Sequence, residues 1–267
     1  MDAIVIMALI ATLGTWLVTA LGAATVVFFK SPNPRALNLM LGFASGVMIA
    51  ASFWSLLEPA IERAQVTSEL PAYVVATAGF LLGAIFMWAS DKVVSFTQRR
   101  VSNKGEGQNT RIGRIMMLIL SITLHNIPEG LAVGVAFGAL QKSGYTAEAL
   151  MGAVTIAIGI GLQNFPEGAA VSVPLRREGY SRKKSFLCGQ ASGMVEPVAG
   201  VVGALLVVYV EAILPWALAF AAGAMILVAV HELIPECQKN QEAQPYFATM
   251  GIVCGFAVMM LLDVMLG

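Results

Sequence analysis

Charge is scarce in this sequence. Only 12% of its 267 residues are Asp, Glu, Lys or Arg, about half the roughly 25% of an ordinary soluble domain. Hydrophobic residues make up 58% and the mean hydropathy is +0.78, so a soluble globular domain is excluded and a membrane protein is indicated. Sixteen basic residues balance sixteen acidic ones, and that zero net charge implies no nucleic acid or other polyionic partner. Cysteine is equally sparse: Cys188, Cys237 and Cys254 lie in or beside apolar stretches without CxxC spacing, which excludes a disulfide framework and a zinc ribbon. With only two histidines, His125 and His231, the paired-His signature of a zinc protease cannot form. His231-Glu232 begins such a motif, but its fifth position is Pro235. The Glu-x-x-His spacing of di-iron oxidases is also missing, so no enzyme is expected.

What the sequence has in abundance is long apolar runs. A hydrocarbon core about 30 Å thick needs about 20 apolar residues per helix, and eight stretches qualify, near 3–29, 37–60, 72–97, 112–140, 148–174, 185–210, 212–236 and 245–266. The first is too long for a signal-peptide core and reads as a transmembrane helix. Turn and charge signals close each run, the junction at 210–215 being the weakest. Fourteen of the sixteen Lys and Arg fall in loops one, three, five and seven, leaving Arg63 and Lys142 for the other side. The bias of cytoplasmic loops toward positive charge then places both termini on the non-cytoplasmic side. The expected fold is all-α: one polytopic transmembrane domain over 1–267, multi-pass in a plasma or inner membrane, with a flexible cytoplasmic loop at about 98–111.

One repeat stands out. Leu124-His125-Asn126-Ile127-Pro128-Glu129-Gly130 on the fourth predicted helix is matched by Leu162-Gln163-Asn164-Phe165-Pro166-Glu167-Gly168 on the fifth. Neighbouring helices run in opposite directions, so the repeat predicts an inverted 3+2+3 arrangement, as in many secondary transporters.

The repeat also carries the chemistry. His125 and Glu129, like Gln163 and Glu167, are four residues apart and share a helix face, with Asn126 and Asn164 beside it. Glu196, next to Pro197, and Glu232 are also intramembrane carboxylates. Four such charges left unpaired would cost on the order of 10 kcal/mol, and no Lys or Arg is predicted at their depth. Pro128 and Pro166 free the carbonyls of Leu124 and Leu162 at mid-membrane, which is tolerated only where a ligand or water is lined. Imidazole, carboxylate and amide groups together suit a borderline divalent cation such as Zn²⁺, with Fe²⁺, Mn²⁺, Co²⁺ and Cd²⁺ also accommodated. A proton relay or small-solute carrier is the competing reading, but it leaves Gln163 and Asn126 unexplained. His231, Glu232 and Glu236, near the cytoplasmic end of the seventh helix, form a second polar cluster that reads as a release site. Gly79 and Gly83, in GxxxG spacing, allow close helix packing or a homodimer contact.

These motifs and the helix count resemble the Zrt/Irt-like (ZIP) metal transporters, closest to the GufA-like bacterial branch, over nearly the whole chain. The resemblance implies uptake of Zn²⁺ as transported substrate, no organic cofactor, and a binuclear midplane site made of His125, Asn126, Glu129, Gln163, Asn164, Glu167 and Glu196. It also implies Met48 as a thioether ligand, Glu62 as an outer acidic residue that first meets the cation, and His231 with Glu232 as the inner release site. Asn164 departs from the family pattern where relatives carry Asp, which removes a charge from the second metal position. The third loop lacks the His-rich run of many eukaryotic members.

Overall fold

The computed structural model describes residues 2–28, 33–102, 108–143, 145–177, 179–238 and 246–266, and every regular element among them is helical. Eight helices follow in order: α1 (Ala3–Val27), α2 (Arg35–Thr67), α3 (Ala72–Thr97), α4 (Gln108–Ser143), α5 (Ala147–Arg176), α6 (Arg182–Tyr209), α7 (Leu214–Gln238) and α8 (Tyr246–Leu266). Among the described residues, α1, α2, α3, α5, α6, α7 and α8 meet the length and hydropathy needed to cross a bilayer. The chain is a polytopic, all-helical membrane protein. Only helices satisfy every backbone group within one segment, so apolar runs of this length have no other stable form in lipid. Helical backbone continues to Ser102 after α3 and resumes at Gln108. Residues 103–107, the middle of the expected 98–111 loop, lie outside the described residues.

The polarity of α1 is inverted relative to a soluble helix. Ile6, Ile10, Leu13, Leu17 and Leu21, spaced three or four apart, are exposed, whereas Thr12, Thr15 and Thr19 are buried. Lipid is the better solvent for the outer face, and the polar stripe turns inward.

The closest helix pairs are α1 with α5, α2 with α8, α3 with α7 and α4 with α6. Small residues permit that closeness. A Cβ at Gly134 would overlap the carbonyl of Gly200 across the α4–α6 seam, and one at Gly83 would overlap the carbonyl of Phe220 across α3–α7. Gly79 meets Ala219 on the same seam. The Gly79–Gly83 face is therefore filled by α7 within the chain and is not available for a contact between two chains.

Among the described residues four helices depart from regular α geometry: α1 has a turn at Ala24, and the departures in α2, α6 and α7 lie near intramembrane polar residues. In α2 a π turn spans Ser52–Leu57, and in α7 another spans Ala229–Leu233, each followed closely by a proline, Pro59 and Pro235. Helix α6 is interrupted at Gly193–Met194, between segments Arg182–Ser192 and Val195–Tyr209. The 210–215 junction is a short 3₁₀ turn, Glu211–Ile213, that leads into Pro215 in the first turn of α7.

Candidate metal site

The two repeat motifs meet at the centre of the bundle. Both helices run unbroken through Pro128 and Pro166. Gln163 Nε2 donates to Glu129 Oε1 at 2.7 Å, so the second residue of one motif grips the carboxylate of the other. Asn164 Nδ2 donates to Glu196 Oε2 at 2.8 Å, which brings α6 to the same point. The α6 break frees backbone that must find partners, and Asn126 Nδ2 meets one of these groups, the Ser192 carbonyl, at 2.8 Å. The break also sets Glu196 in the first turn of the segment Val195–Tyr209, where the helix dipole favours an anion.

This cluster is almost fully shielded: Glu129, Gln163, Asn164 and Glu196 are 0% exposed, and His125 and Glu167 only 7% and 6%. Among the described residues, no hydrogen-bond partner reaches Asn126 Oδ1, Glu129 Oε2, Gln163 Oε1, Asn164 Oδ1 or Glu167 Oε1. A buried acceptor left without a donor costs about 1–3 kcal/mol, more if charged. Five of them lie in one cluster, with three carboxylates close enough to repel one another. Among the described residues no three His, Cys, Asp or Glu side chains gather tightly enough to hold an ion by themselves. The donor set is instead mixed, carboxylate with amide oxygen.

A cavity of about 330 Å³ leads from this cluster to one face of the bundle, lined by His125, Glu167, Glu232 and Glu236 among apolar neighbours. His125 Nε2 lies 2.6 Å from Glu232 Oε1. Sequence reasoning grouped His231 with Glu232, and the structure separates them. In the π turn of α7, Glu232 lines the cavity, whereas the His231 side chain is 64% exposed and sits 3.9 Å from Asp91 Oδ2 on α3.

On the other side of the cluster, Met48, Ala132, Val133, Ile156 and Ile160 are part of the main apolar core. Beyond it lies a pocket of about 190 Å³ lined by Ser55, Arg63 and Asp263, among others. Ser55 Oγ donates to Asp263 Oδ1 at 2.5 Å. Glu62, the expected outer acidic residue, is exposed and is not part of that lining. A further cavity, about 890 Å³, is an almost wholly apolar groove on the flank between α1, α2 and α5, poor in groups that could hold a cation.

Two groups of polar residues escaped the sequence reading. Thr15 and Thr19 of α1 reach Glu196, Thr15 Oγ1 at 2.5 Å from Oε2 and Thr19 Oγ1 at 3.4 Å from Oε1. The Thr12, Thr15, Thr19 stripe at helical spacing on an otherwise apolar run was the signal that could have found them. Asp263, a lone carboxylate inside the last apolar run, carried the same kind of signal.

Comparison with known proteins follows the same lines. Residues 101–263 match the family described as ZIP Zinc transporter. Among curated proteins, zinc transporter ZIP11 of Xenopus tropicalis is 40% identical, with 98% of each chain covered. Zinc transporter GufA of Myxococcus xanthus is 36% identical over 97% of this chain and 98% of its own. Zinc transporter ZIPB of Bordetella bronchiseptica is 35% identical over 93% and 78%.

Proposed function

We infer that this chain, which belongs to the ZIP zinc transporter family, carries divalent transition-metal cations, Zn²⁺ foremost, across the membrane through the buried cluster between α4, α5 and α6. The observation that carries the assignment to this site is the set of five buried acceptors that no described donor satisfies. Glu129 and Glu167 supply charge that balances one divalent ion. His125 and the amide oxygens of Asn126, Gln163 and Asn164 add the borderline donors that favour Zn²⁺ over the hard ions Mg²⁺ and Ca²⁺. The ligand set is large enough for two positions, one toward His125 and Glu167, the other toward Asn126, Asn164 and Glu196.

The direction is inward. The 330 Å³ cavity opens toward helix ends that adjoin loops one, three, five and seven, the loops with fourteen of the sixteen basic residues, which the charge bias of membrane proteins assigns to the cytoplasm. A cation leaving the cluster meets Glu232 and then Glu236 on the way out. Cations arrive from the opposite face by way of the Ser55–Asp263 pocket, with exposed Glu62 as a peripheral attractor, and Met48 lies in the layer between. An inverted 3+2+3 repeat is supported by the exchange of partners it requires. The α1–α5 contact maps onto α6–α4, and α2–α8 maps onto α7–α3. The π turns of α2 and α7, each near a proline, fall on related helices under the same operation. Alternating access then follows from one set of helices moving against the other.

Zinc uptake into proteoliposomes tests the reading. Saturable uptake by the intact protein, abolished by His125→Ala and by Glu167→Ala in variants that still insert, is the expected result. No uptake of Zn²⁺, Fe²⁺, Mn²⁺ or Cd²⁺ by the intact protein would reject it and favour a proton relay.

A further inference from the structure

The three buried carboxylates of the cluster are not equivalent. Glu129 has one oxygen engaged by Gln163 and one without a donor, and Glu167 has an oxygen without a donor. Glu196 alone has both oxygens covered: Oε2 by Thr15 and Asn164, Oε1 by Thr19. The Thr15 hydroxyl also lies 3.0 Å from the Thr12 carbonyl and the Thr19 hydroxyl 3.4 Å from the Thr15 carbonyl, but each has a single proton, and the charge-assisted contact to the carboxylate, also the shorter one for Thr15, takes it. Space is restricted as well. A Cβ at Gly193 would sit 3.0 Å from both Glu196 Oε1 and Thr19 Oγ1, so the backbone of the α6 break closes over that oxygen. The positive end of the segment Val195–Tyr209 faces the same carboxylate. The third negative charge of the site is therefore met by the protein's own donors, and Glu129 with Glu167 remain as the pair whose charge matches one divalent cation.

We propose that Thr15 and Thr19 are positioning residues that hold Glu196 as a hydrogen-bond acceptor, so that this chain loads one divalent cation at the cluster and keeps the second position shut. The proposal rests on the transport site proposed above. Asn164 takes part in the same arrangement: as an amide it donates to Glu196, which an aspartate in its place could not do. Freed of the threonine hydroxyls, Glu196 Oε1 would join Asn126 Oδ1 and Asn164 Oδ1 as an unpaired oxygen, and together they would make a second oxygen-rich position.

The test is a count of ions. The purified full-length chain in detergent is equilibrated with Cd²⁺, and bound metal per chain is measured by mass spectrometry. One tight Cd²⁺ per chain is expected for the intact protein, and twice that number for the Thr15→Val, Thr19→Val double variant, which keeps shape but lacks the hydroxyls. Thr15→Ser with Thr19→Ser restores the hydroxyls and should return the count to one. Thr19→Val alone, which removes only the longer bond, is the milder variant if the double one does not fold, and it should also admit the second ion. Two ions in the intact chain, or a count that stays at one in the valine variants, overturns the proposal while leaving the transport site standing. No bound cation in any of them overturns both.

Discussion

Replacing Gly130 with alanine would test whether the α4–α6 seam sets the geometry of the cluster. An added Cβ would stand 2.5 Å from the Glu196 carbonyl oxygen, 2.8 Å from its Cα and 2.9 Å from Ala199 Cβ. Ordinary contact begins near 3.4 Å, so the helices must part by about 0.9 Å (3.4 − 2.5). Most of the obstruction is backbone, and no rotamer change relieves it. Overpacking of this kind costs about 1–3 kcal/mol, whereas alanine for glycine within an unobstructed helix gains up to about 1 kcal/mol. The displacement falls on Glu196, whose carboxylate is held by three side chains from α1 and α5. If the cost falls on the cation-loaded state, uptake drops roughly 5–150-fold. Gly14→Ala is the matched control, because nothing lies within 4 Å of its Cβ. Thermal unfolding of the purified variants and zinc uptake at equal reconstitution are the measurements. A Gly130→Ala protein that melts with Gly14→Ala and transports at the intact rate would refute the reasoning.

Other perturbations separate the roles of the polar residues. Glu232→Ala removes the group 2.6 Å from His125 Nε2. A hydrogen bond to a charged partner is worth about 1.5–3 kcal/mol, so Cd²⁺ affinity measured by equilibrium dialysis should rise about tenfold or more while turnover falls; weaker binding would make Glu232 a ligand in place of a competitor. His231→Ala alters a side chain that is 64% exposed and turned toward Asp91, so stability should change by less than about 0.5 kcal/mol and uptake should persist; loss of uptake would return His231 to the pathway. Asp263→Asn neutralises the carboxylate of the 190 Å³ pocket and should raise the half-saturating zinc concentration with little effect on maximal rate, and an unchanged concentration dependence would remove Asp263 from the route.

The parts of the fold legible in the sequence were those written in local pattern. Eight apolar runs gave eight helices, because lipid leaves the backbone no alternative. The i, i+4 spacing of His125 with Glu129 and of Gln163 with Glu167 put each pair on one face, where the structure keeps them. Illegible features depend on which helices meet. A π turn inserts its extra residue only where tertiary packing stabilises it, so nothing in Val230-His231-Glu232 announced that the two polar side chains would diverge. The reach of Thr15 and Thr19 to Glu196 spans most of the chain, and short-range pattern does not encode it. Gly79 and Gly83 had the right spacing for a helix contact, but only the fold shows that α7 is the partner.

The apolar core around Met48, Val133 and Ile160 has an electrical consequence for the route proposed above. Bulk water entering the 330 Å³ cavity would bring one aqueous phase close to His125 and Glu167, while the core layer, being low in dielectric, would support most of the voltage across the membrane. A divalent ion gains about 4.6 kcal/mol per 100 mV when it crosses such a layer, twice the value for a single charge. On the proposed route a cation at the cluster has that layer behind it, so its departure through the cavity would be nearly insensitive to voltage. The membrane potential would instead act on the step that brings the cation across the core layer.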